Sequence, residues 1–131
     1  MSRPLKKILH VEDDASLQRL VRIVLEQLGG YAVQTVADGA RALDAARETV
    51  PHLVLLDIDL PGMNGVAVLR AMRSSAELRE IPVIFLTATA EPELGEDGDS
   101  LGVSDILVKP FRPRLLVQTI DRVLGSRAND G

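Results

Sequence analysis

The segment from His52 to Asp57 (HLVLLD) is apolar on both faces of any strand it forms, so other elements must cover it on both sides. That condition points to the interior of a parallel sheet, whose strands need crossover connections of about a dozen or more residues. The rest of the chain supplies them. Lys6 to Val11 is a short apolar run ending in acids, and Tyr31 to Val36 is strand-like. Pro82 to Thr87 opens on a proline, where a missing N–H costs little, and Asp105 to Lys109 completes the set. Between these runs lie helical patterns. Leu17, Leu20, Val21, Val24, Leu25 and Leu28 share one face of a helix over Ser16 to Leu28, which Gly29-Gly30 stops. Asp38 is placed to cap a helix from about Ala40 to Thr49, and Pro51 ends it. After the turn cluster Pro61 to Gly65, Val66, Leu69 and Met72 mark a third helical face. Leu115, Leu116, Thr119, Ile120, Val123 and Leu124 mark the last, with Pro113 near its first turn and Gly125 as its stop. Residues 126–131 are then expected to be a flexible tail. Five βα units without linker or repeat predict one α/β domain over residues 1–131, a doubly wound five-stranded parallel sheet with helices on both faces and a core at about residues 6–124.

Composition narrows the function. With 131 residues, 46% of them hydrophobic, the chain can bury a core without disulfides or metal, and the absence of cysteine excludes thiolate chemistry. The net charge of −4 is local. Glu91, Glu93, Glu96, Asp97, Asp99 and Asp105 lie in a stretch without Lys or Arg, and 13 acids face 15 bases elsewhere. Such a block reads first as a solvated acidic face. Acidity with 2% aromatics argues against a nucleic-acid surface. The apolar start, residues 5–11, is too short for a signal sequence and ends in acids, and no run reaches the ~18–20 apolar residues of a membrane span. A soluble, cytoplasmic protein is expected.

Ligands of doubly wound sheets bind outside the carboxyl ends of the strands. Here those ends carry Glu12-Asp13-Asp14, Asp57, Thr87 and Lys109-Pro110. If the strands are parallel neighbours, the carboxylates of Glu12, Asp13 and Asp57 converge, and hard oxygen donors without His or Cys favour Mg²⁺. Thr87 offers a hydroxyl, and Lys109 a compact positive charge suited to a phosphoryl oxygen. The inventory fits phosphoryl transfer onto a carboxylate, with Asp57 as nucleophile. Each residue alone has a plainer reading as a turn, cap, strand or surface residue; together, at the ends of four strands, they make a site.

The runs Ile8 to Asp14 (ILHVEDD), Leu55 to Gly65 (LLDIDLPGMNG), Leu86-Thr87-Ala88 and Val108-Lys109-Pro110-Phe111 resemble the receiver domain of two-component response regulators over about Lys6 to Leu124. The resemblance implies the strand order 2-1-3-4-5 and a chemotaxis-receiver-like phosphorelay switch rather than an enzyme. It makes Asp57 the phospho-acceptor, phosphorylated by a histidine kinase or histidine phosphotransfer protein. It gives Mg²⁺ to Asp13 directly and to Glu12 through water, with Asp57 and the backbone carbonyl of Asp59 completing the ligands. Thr87 would bind the phosphoryl group and swing toward it, and Lys109 would pair with a phosphoryl oxygen. Asp14 would cap the first helix, and the Lys109-Pro110 peptide would be cis. A change of surface would then be read by a protein partner, with no output domain following in this chain.

Two features depart from the family pattern. Ile106 stands where the family commonly has Tyr or Phe, and its plainer role is strand packing. Residues 91–101, where a fourth helix belongs, hold Gly95 and Gly98 and few apolar side chains, so a short or frayed helix is expected there. Asp59, Ala88 and Thr89 flank the acceptor and Thr87, at places that tune access of water to the phosphoryl group in the family. Two other functions compete with the switch. Asp57-Ile58-Asp59 also resembles the nucleophile motif of haloacid-dehalogenase phosphatases, although Pro61 and the upstream acidic pair fit that motif poorly. A pseudo-receiver that works without phosphorylation is the other, and the complete set of site residues argues against it.

Overall fold

The structure, a computed structural model, describes residues 5–89, 92, 94 and 101–129, the last four of these by backbone only. In chain order the elements are β1 (Lys7–Val11), α1 (Ala15–Gln27), β2 (Ala32–Val36), α2 (Gly39–Thr49), β3 (Leu53–Asp57), α3 (Gly65–Arg73), β4 (Val83–Thr87), β5 (Asp105–Val108) and α4 (Pro113–Asn129). The five strands form one parallel sheet in the order β2-β1-β3-β4-β5, which the resemblance implied. Every residue of β3 and β4 is buried, as the two-faced apolarity of residues 52–57 requires of a central strand.

Strand alternation divides the core in two. Leu9, Val11, Val54, Leu56, Val83 and Phe85 face α2 and α3 and pack with Ala42, Ala46, Val68 and Met72. Ile8, Leu53, Leu55, Ile84 and Leu86 face the other way and pack with Val21 and Leu25 of α1 and Leu116 and Ile120 of α4. The helix starts are capped as expected: Asp14 accepts from the N–H groups of Ser16 and Leu17, and Asp38 from that of Arg41. Asn64 does the same for α3, accepting from Ala67.

Several boundaries differ from the sequence reading. The final helix does not stop at Gly125 but continues to Asn129. A glycine ends a helix by turning left-handed, and Gly125 is not among the glycines with positive φ; kept right-handed it costs only about 1 kcal/mol relative to Ala. Leu20 and Leu28, assigned to the buried face of α1, are exposed, and the buried stripe narrows to Val21, Val24 and Leu25 with Leu17 partly covered. Tyr31 precedes β2 rather than opening it; Gly30 at φ 71° turns the chain, and the Tyr31 hydroxyl donates to Asp121 of α4. β5 ends at Val108, one residue early. Ile106 is half-buried against the α2–α3 side of the core, the strand packing expected of it.

The expected weak helix over residues 91–101 lies outside the described residues except at Pro92, Leu94 and Leu101. Leu94 and Leu101 pack on the α2–α3 core. The guanidinium of Arg73, on α3, donates to the carbonyls of Leu101 and Gly102 and to those of Arg79 and Ile81, tying the approach to β5 onto α3.

Candidate functional site

Three strand ends and one loop build the site. Glu12 is the first residue past β1, and its N–H still donates to Val36 O of β2 at 2.9 Å, so the chain is extended there. The side-chain amide of Gln18, on α1, donates to the Glu12 carbonyl and fixes its backbone from the helix side. Asp57 closes β3, and its Oδ1 accepts the N–H of Asp59 at 2.9 Å. The chain then turns back through Gly62 at φ 71° to Gly65, whose N–H donates to Ile58 O at 2.9 Å. A side chain at Gly65 would put its Cβ 2.5 Å from the Asp57 carbonyl oxygen, so only glycine permits α3 to start against the end of β3. Lys109 leaves β5 with its N–H on Thr87 O at 2.8 Å, and the Lys109-Pro110 peptide is cis.

These supports bring Glu12, Asp13 and Asp57 together: one carboxylate oxygen of each lies within 4.8 Å of the others. Lys109 reaches in from the far side, with Nζ 3.1 Å from Asp57 Oδ2 and 3.3 Å from Glu12 Oε1. Glu12 and Asp57 are almost wholly buried, whereas Asp13 sits exposed at the rim. Burial, reinforced by the hydrogen bond and charge of Asp57, pushes the Glu12 carboxyl up to about 7. Burial alone would lower the Lys109 ammonium, but the hydrogen bond to Asp57 and the negative charges of Glu12 and Asp57 outweigh it and raise it. A divalent cation suits this donor set: three hard oxygens, one water-facing, and no nitrogen or sulfur ligand.

The sequence-predicted residues thus meet, with one qualification. Glu12, Asp13, Asp57 and Lys109 converge, and Asp59 touches Asp57 through its N–H. Thr87 ends the neighbouring strand β4, but its Oγ1 accepts the N–H of Thr89 at 3.2 Å and so serves its own loop in this conformation. Asp14 is the helix cap rather than a member of the cluster. Alongside, a groove of about 500 Å³ runs between Leu17 and Leu20 of α1 and Lys109, Pro110 and Phe111. Sequence reasoning missed Gln18, Gly65 and His10. The signal for His10 was available: two residues before Glu12 on a strand, it faces the same side, and it is a polar residue inside an apolar run. It is fully buried, with Nε2 3.9 Å from Glu12 Oε1. Burial and then the Lys109 charge lower it to about 4, against a smaller opposing pull from Asp57, so the ring is neutral.

Comparison with known proteins places this geometry. The family model of the response regulator receiver domain matches residues 8–121. The DNA-binding response regulator MtrA of Mycobacterium tuberculosis is 41% identical over 125 residues, covering 95% of this chain and 52% of that protein, so the chain spans about half the length of the curated relatives it matches. Chemotaxis response regulator CheY4 of Vibrio cholerae superposes with a TM-score of 0.83 at 33% identity, over 92% of this chain and 99% of the other. The receiver domain of a sensor histidine kinase of Pseudomonas aeruginosa, described with a magnesium ion coordinated in its active-site cleft, gives 0.81 at 34% identity over 93% and 99%. Its acidic crevice, its strand order and these matches over nearly its whole length agree that the chain belongs to the response regulator receiver domains, the signalling switches of two-component systems.

Proposed function

We propose that Asp57 accepts a phosphoryl group from a phosphohistidine of a histidine kinase or histidine phosphotransfer protein, and that residues 6–124 form the core of the switch that responds. The observation that carries this reading is the Lys109 ammonium held between Asp57 and Glu12, beside an acidic cluster of three carboxylates. A carboxylate oxygen of Asp57 bonds to phosphorus as the bond from phosphorus to the donor nitrogen breaks, and the imidazole leaves with a proton from water. Mg²⁺, when bound, neutralises the phosphoryl oxygens and the crowded carboxylates. Asp13 would hold it directly, Glu12 through water, and Asp57 and the carbonyl of Asp59 would complete the protein ligands. The Asp59 N–H on Oδ1 orients the acceptor carboxylate. Lys109 is close enough to transfer its ammonium from Asp57 Oδ2 to a phosphoryl oxygen. Thr87 would exchange its bond to Thr89 for the phosphoryl group, drawing the loop after β4 inward and altering the surface.

The reader of that surface is a protein partner in this proposal, rather than nucleic acid or membrane. The DNA-binding named for the MtrA relative belongs to a protein of which this chain matches about half. No described helix is long and apolar enough to cross a membrane. A switch is modified at most once per molecule, whereas a phosphatase built on Asp57 turns over. Intact mass after incubation with a small phosphodonor and Mg²⁺ tests both points. One added phosphate on the wild type, none on Asp57→Asn and donor consumption no faster than the spontaneous hydrolysis of the aspartyl phosphate are expected; undiminished labelling of Asp57→Asn defeats the assignment.

A further inference from the structure

His10 is fully buried, and neither of its ring nitrogens has a hydrogen-bond partner among the described residues. Buried polar groups are ordinarily paired, so an unpaired imidazole on a central strand calls for a reason. On β1, His10 shares a sheet face with Glu12, and its Nε2 lies 3.9 Å from Glu12 Oε1. That is too long for a hydrogen bond, and a movement of about 1 Å would make one.

The same Glu12 oxygen depends at present on Lys109, at 3.3 Å, while that ammonium also serves Asp57 Oδ2 at 3.1 Å. Glu12 Oε2 is already engaged by the N–H of Asp14 at 3.3 Å. A cation beside it would repel the Lys109 ammonium, and a phosphoryl oxygen on Asp57 would attract it; either would draw Lys109 off Glu12. Oε1, on a side chain almost wholly buried, would then lose its donor. We infer that His10 is a positioning residue for Glu12, its Nε2–H taking over Oε1 when Lys109 leaves, so that the carboxylate keeps its orientation toward the metal. The ring brings an N–H donor to the vacated oxygen from a position the strand already fixes. The inference rests on the metal and phosphoryl reading proposed above.

The test compares wild type, His10→Leu and His10→Gln in the full chain, using Mg²⁺ alone as the probe. Calorimetric Mg²⁺ affinity should fall on the order of tenfold in His10→Leu and recover substantially in His10→Gln, which keeps an N–H donor. The melting temperature of metal-free His10→Leu should equal or exceed that of wild type, because an unpaired buried polar ring has been replaced by a hydrocarbon of similar size. A residue that merely packs would lower both. Nitrogen-15 spectra of the wild-type ring supply a measurement independent of any variant. They should show the proton on Nε2, with its resonance moving downfield when Mg²⁺ is added. Wild-type Mg²⁺ affinity in His10→Leu overturns the inference, as does a ring protonated on Nδ1 in the metal-bound chain. If His10→Leu does not fold, the ring spectra decide. Absence of Mg²⁺ binding by the wild type defeats the reading of the crevice itself and the inference with it, and the wild-type titration alone identifies that case.

Discussion

Lys109 Nζ stands 3.1 Å from Asp57 Oδ2, across a site where three carboxylates approach within 4.8 Å of one another. One ammonium therefore compensates two buried acids, since the same nitrogen lies 3.3 Å from Glu12 Oε1. Charges taken out of water depend on such pairing, and removing one partner is more harmful than never having built the pair.

Lys109→Ala should accordingly lower stability in metal-free buffer by about 2 kcal/mol, less than a fully buried pair would lose because Lys109 is partly exposed. Saturating Mg²⁺ should restore most of that loss, because a cation on the same carboxylates replaces the missing charge. Urea unfolding with and without Mg²⁺ measures both. An equal loss in the two buffers would mean that Lys109 acts through packing rather than charge. The variant should still bind Mg²⁺ but fail to pass phosphorylation on to the surface.

Adjacent acids in the β1–α1 loop should separate cleanly. Asp14→Ala removes the acceptor for the Ser16 and Leu17 N–H groups and should cost about 1 kcal/mol, with Mg²⁺ affinity nearly unchanged. Asp13→Ala, at the exposed rim, should leave stability within about 0.5 kcal/mol and weaken Mg²⁺ binding at least tenfold. Equal effects of the two on Mg²⁺ would show the acidic pair misassigned by one residue.

Gly65→Ala probes the turn under the acceptor. Its Cβ would meet the Asp57 carbonyl oxygen at 2.5 Å and Ile58 Cα at 2.7 Å, both backbone atoms that cannot swing aside. The end of β3 must then separate from the start of α3, which should cost about 2–3 kcal/mol and slow phosphorylation of Asp57. Denaturant midpoints and labelling rates check it; a wild-type labelling rate would show that the acceptor's position does not depend on this turn.

What could be read from the sequence follows from which interactions are local. The strands were legible because HLVLLD and its counterparts carry their burial in composition, and the caps at Asp14 and Asp38 because capping acts over three residues. The site was legible because parallel strands deliver their carboxyl ends to one edge, so Glu12, Asp57, Thr87 and Lys109 could be placed without coordinates. The extent of α4 was not, because Gly125 tolerates either helical hand and nothing local selects one. The exposure of Leu20 and Leu28 depends on how widely α4 covers α1, a tertiary matter that periodicity does not encode. Gln18 and Gly65 act through backbone contacts whose partners are fixed only once the loops have folded. Thr87 was placed at the right strand end, but its engagement with Thr89 belongs to a loop conformation no motif specifies.

The two buried titrating groups of the crevice pull stability in opposite directions with pH. Glu12 is raised to about 7 from an ordinary 4.5, so the folded chain holds its proton longer than the unfolded chain. Its contribution to stability is fully present below 4.5 and is lost as pH rises through 7. His10 is lowered to about 4 from 6.5, so the unfolded chain takes its proton first. Its contribution is present above 6.5 and is lost as pH falls toward 4. Between about pH 4.5 and 6.5 the two slopes oppose, and the metal-free wild type should show a nearly flat stability profile there. Replacing His10 by Leu removes one slope and leaves the other, so His10→Leu should become steadily less stable as pH rises from 4.5 to 7. Urea midpoints in EDTA at intervals of half a pH unit decide it. A variant profile as flat as that of wild type would mean that Glu12 does not hold its proton in the folded chain.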